Sequence, residues 1–440
     1  AGLQNLFLLL CSYLFAYTWN PRVLWVLLVA TAVDFLIARG MGEAPPEDQP
    51  QAQARRRALL LVSVLYNLAQ LAFFKYSGFF LDSLASALGA LGLHPHLPTL
   101  RVALPIGISF YTFQKLSYVI DVYEGRQPPC RDPLAFATFV AFFPQLTAGP
   151  IARGDLLPQY QEARTFDVDR AQRGANLFLL GLVKKAMIAD YLAQHLVDPI
   201  FATPQDYSRA AHWMALFGYA AQVFCDFSGY SDMAQGVGRL LGVELPQNFN
   251  FPFLSRTPLD FWRRWHISLN TWFFDYIYNP LTTGEGFFRG RLDLGFIVVF
   301  LLSGLWHGPR WTYVLWGAMH GVALVVYRRY DERYRALCRK DRSYVALRKR
   351  ADYATAAWAL TQGFFVLSLV PFRAASLAAA GAFTRGLVLG AGKQLLPDDV
   401  PPIRALNFAL CAAFLLVYRL RELPRFAALR GRFAALPAPV

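Results

Sequence analysis

Three of the seven histidines stand where an imidazole is expensive to keep. His307 closes the run Ser303-Gly304-Leu305-Trp306-His307-Gly308-Pro309, which is almost wholly apolar from Leu292 onward. His320 lies inside the next apolar run, in Trp316-Gly317-Ala318-Met319-His320-Gly321, and His266 follows Arg264-Trp265 in an aromatic-rich stretch. Ionisable groups at membrane depth are costly and usually face a cavity or pathway. Imidazole is also the side chain best matched to proton transfer near neutral pH. The chemistry indicated is acid–base, and a purely structural, hydrogen-bonded histidine is the competing reading. Gly308-Pro309 should break the helix just after His307, so His307 and His320 do not share one continuous face. His94, His96, His195 and His212 fall near expected segment ends and need no special account.

Other chemistries fit less well. Spacings of 41 and 13 residues between the three imidazoles match no zinc pattern, and no carboxylate adjoins His307, so no metal site is expected. No GxSxG elbow for a serine nucleophile occurs. Gly236-x-Gly238 is no dinucleotide fingerprint, because no strand is expected before it and no third glycine follows in place. Close helix packing through small residues is the reading preferred for those glycines.

The elements that must position these groups come next. Residues 257–278 read as one helix, with Thr257 as N-cap, Pro258 at its first position, Asp260 near its positive end and Asn279-Pro280 as its stop. Its charges at 260, 263, 264 and 275 suit it poorly to face lipid. Trp262, Trp265, Leu269, Trp272, Phe273 and Tyr276 supply rings for an interface or a protein-lined cavity, with His266 one turn after Trp262 on the same face. An interfacial packing element is the plainer alternative. Two other stretches gather polar groups: Asp226, Ser228, Tyr230, Ser231 and Asp232 after an apolar run, and Tyr111, Gln114, Lys115, Tyr118 and Asp121 on an otherwise apolar helix. Either set could line a cavity; close helix packing is the preferred reading of the first, and packing hydrogen bonds explain the second equally well.

Composition sets the container. The 440 residues are 55% hydrophobic and 15% aromatic but only 16% charged, against about 25% charged in an ordinary soluble domain. Disorder is excluded by 37 Phe, 21 Tyr and 10 Trp. Five scattered Cys, with no close pair, exclude a disulfide scaffold. The net charge of +14 first suggests nucleic acid, but the basic residues sit in short clusters between apolar runs, as topogenic Lys and Arg do. No nucleic-acid partner is expected; the lipid bilayer is.

Apolar segments are expected at 3–18, 23–38, 58–75, 102–122, 134–148, 174–198, 210–225, 292–306, 311–327, 354–372 and 404–420, giving nine to twelve membrane segments. Pro105, Pro144 and Pro150 allow re-entrant pieces. Residues 3–38 read as two hairpin arms around Trp19-Asn20-Pro21-Arg22 rather than as a cleavable signal, and a start inside an apolar run is expected to lack a few residues. The polar stretch 39–57 and the block 328–350, with ten Lys/Arg against three acids, are read as cytoplasmic. The block 328–350 suits a solvated helix touching anionic headgroups better than a dock for an acidic partner. No repeat and no separable soluble domain is seen, so residues 1–440 are read as a single transmembrane domain.

The segments 109–123, 142–151, 226–234, 245–253, 261–278 and 303–320 together resemble the bacterial membrane-bound O-acyltransferase (MBOAT) family, in the branch that O-acetylates exported polysaccharides such as alginate or peptidoglycan. They span about half the chain, in the expected order. The resemblance implies an all-α, polytopic inner-membrane protein, a helical ring with a central tunnel between two funnels. It implies that His307, in Trp-His-Gly, is the principal catalytic histidine and His266, in Arg-Trp-His, the second. His320, Trp306, Trp262, Asp226, Tyr111 and Gln114 are the expected supporting or tunnel residues. Two departures concern the acceptor or partner surface: Phe274-Asp275-Tyr276 where relatives often read Arg-Asp-Tyr, and residues 282–286 where they often carry a Gly-Gly-Asn turn.

The resemblance further implies a cytoplasmic thioester donor, acetyl-CoA before a loaded carrier protein, and no permanently bound cofactor. The acceptor is a hydroxyl of a polysaccharide or of a periplasmic SGNH-type acetyltransferase partner. His307 would serve as general base, with His266 or a backbone N–H steadying the thioester carbonyl. D-alanyl transfer from a carrier protein, a transporter or flippase, and a membrane scaffold are the competing functions.

Overall fold

The structure is a computed structural model that describes residues 1–43, 49–93, 102–390 and 392–395. The expected segment 404–420, His94, His96 and Cys411 lie outside the described residues, as does part of the polar loop 39–57.

Among the described residues there is no strand, only one isolated bridge between Tyr207 and Gln394, and the chain is all-α as expected. Helices α1 (Gly2–Trp19) and α2 (Pro21–Met41) form the expected hairpin. The Asn20 side chain accepts from the Arg22 amide at 3.0 Å, and Pro21 takes the first helical position. Helix α3 (Pro50–Leu71) passes through a π-helical turn (Ala72–Tyr76) into α4 (Ser77–Ala90). The resulting strap of 41 residues is about 60 Å long at ~1.5 Å per residue, roughly twice a hydrocarbon core.

Arg56, in the polar stretch 39–57, is held by the protein itself. Its guanidinium is buried and donates to the carbonyls of Gly42, Val122 and Tyr123 at 2.8, 2.6 and 2.8 Å. It therefore caps the carboxyl end of α2 and that of α5 (Ile108–Tyr123). Helix α5 starts later than expected because Gly107 takes a left-handed conformation (φ 69°) just ahead of it. The expected span 134–148 is broken at Phe142 into α6 (Pro133–Ala141) and the short α7 (Phe143–Leu146), which begins with Phe143-Pro144.

Helix α8 (Val168–Leu182) continues through wide turns to Ala202 and packs against α9 (Arg209–Leu240). Gly236 lies against the backbone of Gly174 so closely that a Cβ there would meet its carbonyl oxygen at 2.6 Å. This is the small-residue packing expected of Gly236. Helix α9 outruns the expected 210–225 because its polar residues find partners: Asp226 pairs with Lys185 at 2.6 Å and Asp232 with Lys184 at 2.5 Å.

The segment 257–278 is not one helix. It divides into α10 (Pro258–Trp262) and α11 (Ile267–Phe273), and the latter runs on through a π turn and past Pro280 to Thr283. The cap is as expected, with Thr257 Oγ1 accepting from the Asp260 amide at 3.0 Å. Helices α12 (Leu292–His307) and α13 (Trp311–Lys340) meet at the expected Gly308-Pro309 break. Gly304 and Gly317 let them touch backbone to backbone, since a Cβ on either would run into a carbonyl oxygen of the other helix. Arg328 Nε and Arg329 Nε both hold Asp293, at 2.6 and 2.7 Å, and tie the start of α12 to the basic end of α13. Helices α14 (Ser343–Lys349), α15 (Ala351–Arg373) and α16 (Leu377–Leu389) follow. The sequence reading had no segment at α16, whose 13 residues fall well short of the ~20 that span a bilayer.

By length and composition, three helical stretches among the described residues can cross a membrane: Leu24–Met41, Pro50–Ala90 and Ala351–Arg373. Leu292–His307 and Leu377–Leu389 are shorter apolar helices. That is fewer than the nine to twelve expected, because other segments are interrupted or carry polar groups.

The buried residues form two cores. One gathers Phe113, α9, Trp262, Trp265, Trp306, Trp316 and Phe365. The other packs α1, α2 and α6 around Tyr111 and Tyr118. Inside the second, Lys115 and Asp34 pair at 2.8 Å with both side chains wholly buried. Asn67 Oδ1 accepts from Lys115 at 3.0 Å, and Ser63 Oγ donates to Asp34 at 2.6 Å, so the charges are hydrogen-bonded as well as paired.

Candidate active site

His307 is the last residue of α12, and its ring is half-buried. The rings of Trp306, Trp316 and Phe372 each lie 5.1 Å from it, centroid to centroid. The His266 ring is 6.5 Å away, too far for the two imidazoles to bond each other directly. They can act together only through something held between them.

His266 stands in the interruption between α10 and α11. Its backbone is left-handed, φ 44° and ψ 55°, a region few non-glycine residues enter and which costs roughly 1–3 kcal/mol. The turn is bracketed on both sides by the segment 245–253. The Asn250 amide donates to the carbonyl of Arg264 at 2.9 Å, and the Ile267 amide donates to the carbonyl of Asn248, also at 2.9 Å. Asn248 Oδ1 accepts from Ser268 Oγ at 2.7 Å, and Asn248 Nδ2 donates to Ser231 at 3.2 Å. Ser231 of the α9 polar cluster thus helps to fix the histidine's turn. The break cancels the expectation that His266 and Trp262 share the face of one continuous helix.

The His266 ring is 2% exposed, and its Nε2 has no hydrogen-bond partner among the described residues. It lines a small cleft with Trp262, Asn270, Phe273, Phe300 and Ser303. The volume of that cleft is about 10 Å³, on the order of a single water.

His320 has a different setting. Its Nε2 is 2.9 Å from Ser368 Oγ. Trp316 lies 4.7 Å from its ring and Trp262 5.0 Å. The Trp316 ring is thus in contact with both imidazoles, 5.1 Å from that of His307 and 4.7 Å from that of His320.

Beyond the Gly308-Pro309 turn lies a cavity of about 1180 Å³, whose walls include Lys75, Asp82, Ser86, Pro309, Arg310 and Trp311. His307 itself lines neither space: it precedes Pro309 of the cavity by two residues, and its ring centre lies 6.5 Å from that of His266 in the cleft. The cavity and the cleft share no lining residue, so the expected central tunnel is not seen as one continuous space among the described residues.

Of the expected site residues, the fold brings together His307, His266, Trp306, Trp262 and, through Trp316, His320. Three others are engaged elsewhere. Gln114 Nε2 donates to the carbonyl of Phe139 at 2.7 Å, Tyr111 belongs to the second core, and Asp226 is paired with Lys185. Gln114 and Asp226 thus have the partners of the plainer reading, whereas the buried Tyr111 hydroxyl has no hydrogen-bond partner among the described residues. Among the described residues no cluster of three or more His, Cys, Asp or Glu side chains is arranged to hold a metal ion. The sequence reading missed Lys75 and Tyr76, which reach the end of α12, and the separate roles of Asn248 and Ser368.

The family model for the membrane-bound O-acyltransferase family matches residues 130–370. The chain is 40% identical over 381 residues to a probable alginate O-acetylase, AlgI, of Pseudomonas syringae pv. tomato, covering 86% of this chain and 68% of that protein. It is 42% identical over 327 residues to the probable alginate O-acetylase AlgI of Pseudomonas aeruginosa, covering 74% of this chain and 61% of that protein. It is 33% identical over 411 residues to the peptidoglycan O-acetyltransferase of Helicobacter pylori, covering 87% and 73%. The chain thus spans about two thirds of the length of the alginate O-acetylases it matches.

Proposed function

The chain belongs to the membrane-bound O-acyltransferase family, and from that premise we propose that it moves an acetyl group from a cytoplasmic thioester across the inner membrane for O-acetylation of an exported polysaccharide. The observation that carries this reading is half-buried His307 at a broken helix end, its ring centre 6.5 Å from that of His266, whose Nε2 has no hydrogen-bond partner among the described residues.

The donor is acetyl-CoA. Its thioester enters from the cytoplasmic side, where Asp293, Arg328 and Arg329 mark the start of α12. The acceptor approaches through the large cavity. That cavity lies at the far end of α12 and of the strap α3–α4 from the basic block, which the positive-inside rule puts outside the cytoplasm. A hydroxyl oxygen attacks the thioester carbonyl carbon while His307 takes the hydroxyl proton. The His266 Nε2–H donates to the carbonyl oxygen as negative charge develops there. The C–S bond then breaks, a C–O bond has formed, and the proton held by His307 leaves on the CoA thiolate. A gap of 6.5 Å between ring centres suits one carbonyl group between two imidazoles.

The immediate acceptor is a hydroxyl of a periplasmic SGNH-type partner, which passes the acetyl group to the polymer. Neither a CoA nucleotide nor a sugar crosses hydrocarbon, so a protein that brings both to one buried point meets the physical requirement. The test is the acetyl content of the cell's exopolymer and peptidoglycan, with and without the gene and with His307→Ala. Loss of O-acetyl groups from one polymer in both deficient strains is expected. Unchanged acetylation of every polymer would overturn the reading.

A further inference from the structure

The last turn of α12 leaves carbonyls that its own chain does not satisfy. The Gly308 amide reaches the carbonyl of Gly304 at 3.4 Å. The next carbonyl, of Leu305, would take the N–H of residue 309, but Pro309 has none. The carbonyl of Trp306 would take the N–H of Arg310, which bonds instead to the carbonyl of Gly308 at 2.9 Å. Buried carbonyls at a helix end need partners from elsewhere.

The partners come from the strap, across more than 200 residues of chain. The Tyr76 hydroxyl donates to the carbonyl of Leu305 at 2.9 Å. The Lys75 ammonium donates to the carbonyl of Trp306. Lys75 also donates to Ser109 Oγ in the first turn of α5, at 2.8 Å, and stands 5.6 Å from the centre of the Trp306 ring. Both residues lie in the π-helical turn Ala72–Tyr76. Such a turn widens a helix locally and is frequent at functional sites. A cation at a helix carboxyl end is further favoured by the helix dipole.

We infer that Lys75 and Tyr76 are positioning residues for acyl transfer: by capping the final carbonyls of α12 they fix where the His307 ring stands. This rests on the proposed role of His307. The cap sits on the two residues that precede the imidazole, and nothing else among the described hydrogen bonds holds those carbonyls. Releasing them lets the last turn fray, and a misplacement of ~1 Å costs on the order of 100-fold in rate. A cap that served stability alone would change the amount of folded protein and leave the rate per folded molecule untouched.

The test uses the full chain in membranes, with transfer from labelled acetyl-CoA measured per folded molecule. Lys75→Met should lower kcat about 100-fold with KM for acetyl-CoA within about twofold of wild type, and Lys75→Arg should recover about tenfold of that loss. Tyr76→Phe, which removes one hydroxyl, should lower kcat about fivefold at normal abundance. An unchanged kcat in Lys75→Met, or a loss carried wholly by KM, overturns the inference. Where Lys75→Met fails to accumulate, Tyr76→Phe decides alone, and wild-type kcat there overturns it. His307→Ala is run alongside. An active His307→Ala sinks the proposed function, whereas a dead His307→Ala with fully active Lys75→Met and Tyr76→Phe sinks only the positioning role.

Discussion

The two central histidines differ in what their backbones ask of them. His266 occupies left-handed space, which Asn tolerates and Ala resists. His266→Asn keeps an N–H donor and suits the turn, so it should retain activity within about tenfold. His266→Ala should lose on the order of 100- to 1000-fold, the usual cost of removing one oxyanion donor. Equal losses in the two variants, measured as initial rates of acetyl transfer at matched abundance, would favour proton transfer at His266 over hydrogen bonding. His307 was legible because an apolar run ending in His-Gly-Pro announces both a buried imidazole and a helix break. The turn at His266 was not, because Arg263-Arg264-Trp265 carries no glycine, proline or asparagine to mark it. Its cause lies in the amides and carbonyls of Asn248 and Asn250, distant in sequence. Gln114 shows a related ambiguity: a polar group at helical spacing looks the same whether it faces a ligand or, as here, the carbonyl of Phe139.

At the scale of elements, the site depends on helix ends held from afar. The segment 245–253 clamps the α10–α11 turn, so Asn248→Ala should reduce transfer about tenfold or more while abundance holds. Fluorescence-detected size exclusion, run beside the activity assay, separates that result from simple unfolding. The pair of Lys115 and Asp34 ties α5 to α2 away from the site. Lys115→Met leaves Asp34 buried and unpartnered by charge, and should cost roughly 3–5 kcal/mol of stability. A thermal-shift series should show a large drop for Lys115→Met and a partial recovery when Asp34→Leu is added. No drop would mean the pair is dispensable. Helix α16 escaped the sequence reading because Ala and Gly dominate it and it is too short to register as a span. The π turn in the strap left no trace either, since Ala72-Phe73-Phe74-Lys75-Tyr76 is ordinary helical sequence. What reveals it is the meeting with α12.

For the whole molecule, charge and apolar area together set orientation. The basic residues of 328–350 extend α13 beyond its apolar stretch and continue into α14. The cavity beside Pro309 lies at the opposite end of α12 and α13. In intact cells, a cysteine at Ser86 of the cavity should react with an impermeant maleimide, and one at Ser343 of α14 should react only after lysis. The reverse pattern would invert the topology and put donor and acceptor on the wrong sides. Composition excluded disordered and disulfide-rich chains and favoured a membrane body over soluble domains, and the all-α organisation was implied by the family resemblance. The number of crossings did not follow, because the expected segment 134–148 is divided at Phe142 and others are interrupted or carry polar groups.

The most direct measurement is covalent transfer from labelled acetyl-CoA in membranes holding equal amounts of wild-type protein and His307→Ala. Wild type should place label on a partner protein or polymer, and His307→Ala should do so at least ~100-fold more slowly while remaining folded and inserted. Label that crosses the membrane without ever becoming covalently attached, or a His307→Ala variant as fast as wild type, would contradict the claim that this imidazole carries an acyl transfer.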